Sequence, residues 1–498
     1  MLTITKKLFE ELNLKHVQYV HFKSNEHLSE GLKGITDLDI LISSEDVSTY
    51  ETIMSALSFK RVNSHRFSSY PGVEDWIGFD SETGKLIHIH LHYHLVTGKK
   101  FLKEIELPWS KIALWSGLLD KEHNLVKIVN PSFEIILLLT RIYFKAGAYK
   151  HLRQIMGKNI LQKDEKKELN YLSARINEKD LLLYAKMCFN RSKESLIKDF
   201  VAKVLSKKTD KRTSQLLNSL IKENLFYCSK RKSPLISYFE SWVRKLEFHF
   251  MQILKAKTGK WDLILKKTPH NGGKIIAFVG CDGSGKSTVT KEIKDWLSWK
   301  IESSQVYFGT GDHFFSFYKS FKLFAIRFRK RKAAAPKKKD QDIPKETRKD
   351  KVYDSNIVAY LENTNKVKVA RRVFNNLIRI GRYRMNGGIS VLDRYPQLQF
   401  TGIYDGAKIS SQYKKYFERE VKYLSLARDI QPDIVFKLIV PLEVSLQRKP
   451  DPDPETVKRK VEITELLEFP DSKVFRIDTT QDYGKELLEI KKIIWENI

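Results

Sequence analysis

The chain has 498 residues, 42% of them hydrophobic, so it is too long for one ordinary core and too apolar for a disordered chain. Its 89 Lys and Arg against 60 Asp and Glu give a formal charge of +29, which favours polyanions: nucleic acid, nucleotides, phosphorylated sugars or an anionic membrane. The three cysteines, Cys188, Cys228 and Cys281, stand far apart with no CxxC pair, which argues against a zinc knuckle or a disulfide framework and for a reducing, cytoplasmic setting. The opening stretch MLTITKKLFEELNLKHVQ is charged throughout and has no signal-peptide pattern, and the longest apolar runs, such as IILLLT at Ile135, fall far short of a membrane span.

Residues 1–125 mix short strand and helix patterns and predict an α+β domain. TDLDILI, from Thr36, reads as a strand, and Leu86–Tyr93 reads as another, entered through the SETGK turn, so residues 75–93 form a predicted hairpin. Asp37 and Asp39 lie two apart on a strand and face the same way. Two parallel carboxylates of this kind can hold Mg²⁺ over a triphosphate. With Ser24 thirteen residues before Asp37, this pattern resembles the minimal nucleotidyltransferase family, although Lys23 stands where that family usually has a glycine. The resemblance implies a third carboxylate on a neighbouring strand. The candidate strand, KLIHIHLHY, offers His88, His90, His92 and, just beyond, His94, with no acid among them. Three readings stay open: a polar sheet face beside a nucleotide-sized pocket, a transferase with histidine in place of the acid, and a metal site of Asp37, Asp39 and two histidines. A closed structural zinc is not expected, because no cysteine lies nearby.

Residues 126–265 read mostly as helix, beginning at Pro131 and continuing through FEIILLLTRIYFKA, and carry no catalytic constellation. They predict a helical connector domain.

From about 270 to 498, after the breaker-rich TPHNGGK, strand patterns alternate with helical ones: KIIAFVG, QVYFG, ISVLDRY, DIVFKLIV and KVFRID. Such alternation predicts a parallel α/β sheet covered by helices. Residues 312–385 interrupt it and read as a basic, aromatic insertion: a helix followed by a loop, with a nucleic-acid role among its readings.

GCDGSGKS, Gly280–Ser287, matches GxxxxGK[ST] between a strand and a helix. The glycines, Gly280, Gly283 and Gly285, with Asp282, Ser284 and Thr288 around them, let backbone N–H groups cradle the phosphates of ATP. Lys286 reaches the terminal phosphates and Ser287 holds Mg²⁺. DRYP follows the strand ISVL. Asp393 there can hold Mg²⁺ or orient the accepting oxygen, and Arg394 offers a fork for an anion. After VFKLIVP, Arg448 and Lys449 precede a proline-broken loop, with Arg459 and Lys460 beyond it, and cations on such a loop can close over a transferring phosphoryl group.

At these residues the chain resembles the thymidylate kinase family, over roughly 272–498 less the insertion. The resemblance implies a P-loop kinase that moves the γ-phosphoryl group of ATP to a nucleoside monophosphate, thymidylate by default. It places Asp282 near the acceptor sugar, Arg394 on the acceptor phosphate and Arg448 in the lid. PQLQFTGIYDG after DRY, and FGTGDH after the second strand, depart from the family's acceptor pocket. Another phosphorylated or sugar-containing acceptor, or an NTP-dependent switch that binds nucleic acid, therefore stays open. So does a homo-oligomer.

Overall fold

The computed structural model describes residues 1–145, 163–206, 211–225, 234–258, 263–309, 349–403, 405–451 and 453–498. It divides into two compact units. Unit 1 comprises Met1–Asn271 with Lys300–Glu302 and Lys491–Ile498, and unit 2 comprises Gly272–Trp299 with Ser303–Ile490.

In unit 1 the strands are β1 (Tyr19–His21), β2 (Leu38–Ile42), β3 (Lys60–Asn63), β4 (Val73–Phe79), β5 (Leu86–His92), β6 (Leu95–Thr97), β7 (Ile105–Leu107), β8 (Leu118–Leu119), β9 (Lys127–Ile128) and β10 (Thr268–Pro269). Among the described residues they build an eight-stranded mixed sheet in the order β10-β3-β4-β5-β2-β1-β9-β8, with β6 and β7 apart as a hairpin. The period-2 alternation of a strand decides what each face holds. Ile40 and Ile42 of β2, with Ile87, Ile89 and Leu91 of β5, point to a core shared with Leu8, Phe9 and Leu12 of the helix Thr3–Leu14 and with Tyr50, Ile53 and Met54 of the helix Val47–Ala56. The intervening residues of β5, namely His88, His90 and His92, therefore face the other way.

That second face joins a core built from Val20, Phe22 and Leu41 together with the helices Pro131–Lys145, Glu178–Cys188, Glu194–Leu205 and Lys211–Leu225. These helices, expected within a separate connector domain over 126–265, thus share one core with the N-terminal sheet, whereas the helix Pro234–Thr258 of the same stretch leaves Phe239, Trp242 and Phe250 exposed.

In unit 2, β11 (Ile275–Gly280), β12 (Ser303–Tyr307), β13 (Ile389–Asp393), β14 (Ile434–Ile439) and β15 (Lys473–Asp478) form a sheet in the order β12-β13-β11-β14-β15, every pair parallel. The three inner strands are buried along nearly their whole length, as strands covered on both faces must be.

The expected insertion needs correction. Residues 310–348 lie outside the described residues, but Lys349–Met385 is one 37-residue helix leading straight into β13. Ala370, Val373, Leu377, Ile380 and Tyr383 are buried along it, at helical spacing. It belongs to the body of the unit; its many arginines and asparagines mask the apolar stripe in the sequence. Among the described residues no helix is long and apolar enough to cross a membrane.

Candidate functional site

The parallel order of unit 2 brings the C-terminal ends of β11 and β13 side by side, with Phe278 in register with Asp393. In an open α/β sheet this edge is where ligands bind. β11 runs into the phosphate loop, and the helix Lys286–Leu297 begins at once behind it. Gly285 caps that helix in the left-handed region at φ 85°, and Gly283 has φ 81°. A side chain at Gly283 would also press its Cβ to 2.7 Å from the carbonyl oxygen of Ser445. The loop is therefore closed to larger residues at both points.

Lys286 is buried and folds back over the loop, its Nζ donating to the carbonyl of Cys281 at 2.6 Å and to Ser284 Oγ at 3.3 Å. Burial, and after it the nearby Arg394 guanidinium, pushes its ammonium down to about 8. Ser287 Oγ donates to Asp393 Oδ2 at 2.6 Å, while Asp393 Oδ1 is buried with no hydrogen-bond partner.

Asp282 is the electrostatic hub of the loop. It takes Lys460 Nζ at 2.6 Å, Arg394 Nη2 at 3.0 Å and Lys449 Nζ at 3.8 Å. Burial alone would raise its carboxyl, but Lys460, with Arg394 and Lys286 behind it, outweighs burial and holds it down at about 2. Arg394, at φ 74°, also reaches to 3.6 Å from Asp405 Oδ2. Burial pushes the Asp405 carboxyl up, against the pull of Arg394 and Lys408. Asp405 lines a cavity of about 110 Å³ together with Phe308, Asn365, Lys366, Lys408 and Glu420.

Arg448 and Arg459, the arginines expected to close over a transferring phosphoryl group, make no ion pair with Asp282 among the described residues. Arg448 ends the helix Leu442–Arg448 and gives Nη2 to the carbonyl of Thr479 at 2.7 Å, and Arg459 is exposed. The cation that reaches the loop from the helix Pro454–Leu466 is Lys460. Its neighbours at helical spacing, Val457 and Thr464, are buried on the same inward face. Asp405 and the hub role of Asp282 were not visible in the motif, because their partners come from distant segments.

Unit 1 gathers a second cluster. Asp37 and Asp39 share the histidine face of the sheet, and Asp75 of β4 joins them, in register with His90. His88 is fully buried; its Nε2 lies 2.9 Å from Asp75 Oδ1, and its Nδ1 2.8 Å from Asp37 Oδ1. His90 sits 3.1 Å from Asp75, 3.4 Å from Asp39 and 4.0 Å from Asp37. Burial would lower its imidazole, but Asp39 and Asp75 together raise it. His92 Nε2 lies 3.3 Å from Asp39 Oδ1, and burial pushes this ring down to about 4. His94 stands apart, near Glu106. Each carboxylate also carries a lysine: Lys23 on Asp39 at 2.6 Å, Lys300 on Asp37 at 2.5 Å and Lys267 on Asp75 at 3.4 Å. The third carboxylate of the cluster, Asp75, comes from β4 and not from β5. In a hairpin turning between Asp80 and Lys85 it falls opposite His90, a register that could have been counted.

No protein-family model matches the chain. Two proteins of Escherichia coli K12, described as the ATP-binding proteins YghR and YghS, are each 25% identical to it. YghR matches over 232 residues, 44% of this chain and 86% of its own, and YghS over 227 residues, 43% and 88%. Among solved structures, thymidylate kinase from Candida albicans aligns at 16% identity and a TM-score of 0.24, covering 45% of this chain and 90% of that one.

Proposed function

We propose that unit 2 is an ATP-dependent phosphotransferase that moves the γ-phosphoryl group of ATP to a small acceptor, in the manner of a nucleotide kinase. One observation carries this reading: Ser287, in the first turn of the helix behind the phosphate loop, meets Asp393 at the end of the neighbouring parallel strand, beside a lysine held over a glycine-built loop. The description of YghR and YghS as ATP-binding supports ATP as the donor.

In this reading Lys286 leaves the Cys281 carbonyl for the β- and γ-phosphates, and the backbone N–H groups at the start of the helix Lys286–Leu297 point at the same oxygens. Ser287 and Asp393 fit a Mg²⁺ ion. Both offer hard oxygen, and the buried Oδ1 of Asp393 lacks a hydrogen-bond partner. When bound there, Mg²⁺ neutralises charge on the phosphates. Lys460 and Lys449 bring positive charge to the rim through Asp282.

The acceptor that the family resemblance implies is a nucleoside monophosphate, thymidylate by default, with its phosphate on Arg394. A second reading, a hydroxyl of a sugar-containing acceptor, is favoured by the Arg394 environment. Its charge is shared between Asp282 and Asp405, and a buried carboxylate raised by its surroundings, as Asp405 is, can take a proton from a hydroxyl. An ionised phosphate has no such proton to give. Labelled ATP assayed against nucleoside monophosphates, sugars and sugar phosphates separates the two. Transfer to some acceptor, abolished by Lys286→Ala, is the expected result. Undiminished transfer in that variant would reject the phosphate-loop assignment.

A nucleotidyltransferase role for unit 1 rests on Ser24, Asp37 and Asp39 alone. Lys300 sits on one oxygen of Asp37 and Lys23 on one oxygen of Asp39, so Mg²⁺ at these carboxylates would compete with two ammoniums already in place.

A further inference from the structure

Beside the acid–imidazole cluster of unit 1 lies a cavity of about 110 Å³. That is room enough for a phosphoryl group. Its wall carries four cations: Lys23, Lys103, Arg141 and Lys145. Two are already matched. Lys23 is on Asp39, and Arg141 is 3.3 Å from Glu168. Among the described residues Lys103 and Lys145 have no carboxylate within ion-pair reach. Lys103 instead lies over the ring of Tyr70, 4.3 Å from its centre.

The cations feel one another. Burial, followed by repulsion from Lys23, pushes the Lys103 ammonium down to about 8. Lys103 also holds a left-handed backbone, φ 41°, uncommon for a residue with a side chain. Converging positive charge and local strain both oppose folding, and they persist where a function over-determines them. An anion in the cavity would relieve the repulsion. His92 lines the same cavity and is almost wholly buried; its Nδ1 has no hydrogen-bond partner, so a ligand hydroxyl or a water has an acceptor there.

The carboxylates next door are balanced one for one by Lys23, Lys300 and Lys267. A divalent cation there would compete with those ammoniums, whereas a phosphate in the lysine-lined cavity meets cations directly and needs no bridging ion. We propose that this cavity binds the terminal phosphate of a phosphorylated small molecule, and does so without a divalent metal. The site is separate from the phosphate loop, and the proposal does not depend on what unit 2 transfers.

The test uses the full chain carrying Lys286→Ala, which disables the phosphate loop. Inorganic phosphate and ribose 5-phosphate are titrated calorimetrically, in EDTA and again in excess Mg²⁺. The expected result is one saturable, mutually competitive site for both probes in EDTA, no tighter with Mg²⁺. Adding Lys103→Met is expected to weaken it ~10–100-fold, the worth of one charge-assisted hydrogen bond. Lys145→Met, on the exposed end of its helix, gives the same direction should Lys103→Met fold poorly. Absence of binding in EDTA, binding that appears only with Mg²⁺, binding of inorganic phosphate alone, or binding indifferent to both lysine variants would each overturn the proposal.

Discussion

Ser287 and Asp393, 106 residues apart in sequence, share a 2.6 Å hydrogen bond through Oδ2, which leaves Oδ1 of the same carboxylate buried and unsatisfied. Such an atom is costly unless something comes to it. Asp393→Asn keeps the shape and removes the charge, so it is expected to lower kcat by roughly 10²-fold or more while changing KM for ATP much less. Steady-state kinetics with ATP and the best acceptor check this. Equal losses in kcat and in ATP affinity would instead mark Asp393 as a ground-state contact.

Gly283→Ala should cost the loop both ways. The new Cβ meets the Ser445 carbonyl at 2.7 Å, and φ of 81° disfavours any side chain. A loss of about 1–3 kcal/mol in stability is expected, with nucleotide binding lost alongside. Denaturant unfolding and a fluorescent-nucleotide titration measure the two.

Lys460→Ala removes the strongest partner of Asp282. The Asp282 carboxyl sits at about 2 against an ordinary 3.8, so its contribution to stability is present above pH 3.8 and is lost as pH falls through about 2. Without Lys460 that loss begins at higher pH. Both side chains are partly exposed, so the effect is about 0.5–1 kcal/mol at pH 5. Acid-unfolding midpoints of the two proteins are the measurement. Arg459→Ala, on the outward face of the same helix, serves as the control and should leave the midpoint in place.

Glu134 points the other way. Fully buried on the helix Pro131–Lys145, it accepts hydrogen bonds from both nitrogens of Asn25, and burial, with Glu168 and Glu26 adding repulsion, pushes it up to about 8. A carboxyl raised in the folded state stabilises fully below its unfolded value of 4.5, and that contribution is lost as pH rises through about 8. Glu134→Gln keeps the shape and removes the titration. Its Tm is expected to fall less than that of the parent between pH 6 and 9.

Much of unit 2 was legible because its signals are local. A strand, a glycine-rich turn, a lysine and a helix fall within a short stretch, and DRYP ends a strand whose apolar run is plain. What local patterns could not give is which distant side chain completes the site. Arg459 and Lys460 differ by one position, and only the helix phase set by Val457 and Thr464 separates them. Asp75 was hidden for a related reason: the acid was sought on the strand beside Asp39, and it stands one strand further on. Lys267 and Lys300 had no local signal at all, being ordinary lysines in a lysine-rich chain. The helix Lys349–Met385 was read as an insertion because its charge outweighs a stripe of small and branched apolar residues.

The strand order of unit 2 bears on how the chain is made. β11 pairs with β13, more than a hundred residues later, and with β14, later still. At about 5–20 residues per second, the stretch that carries the phosphate loop leaves the ribosome on the order of ten seconds before its second neighbour is synthesised. For that interval an all-apolar strand, Ile275–Val279, is without its sheet. It is a segment that a nascent-chain chaperone would have reason to cover, and slower synthesis across residues 281–434 would lengthen its exposure.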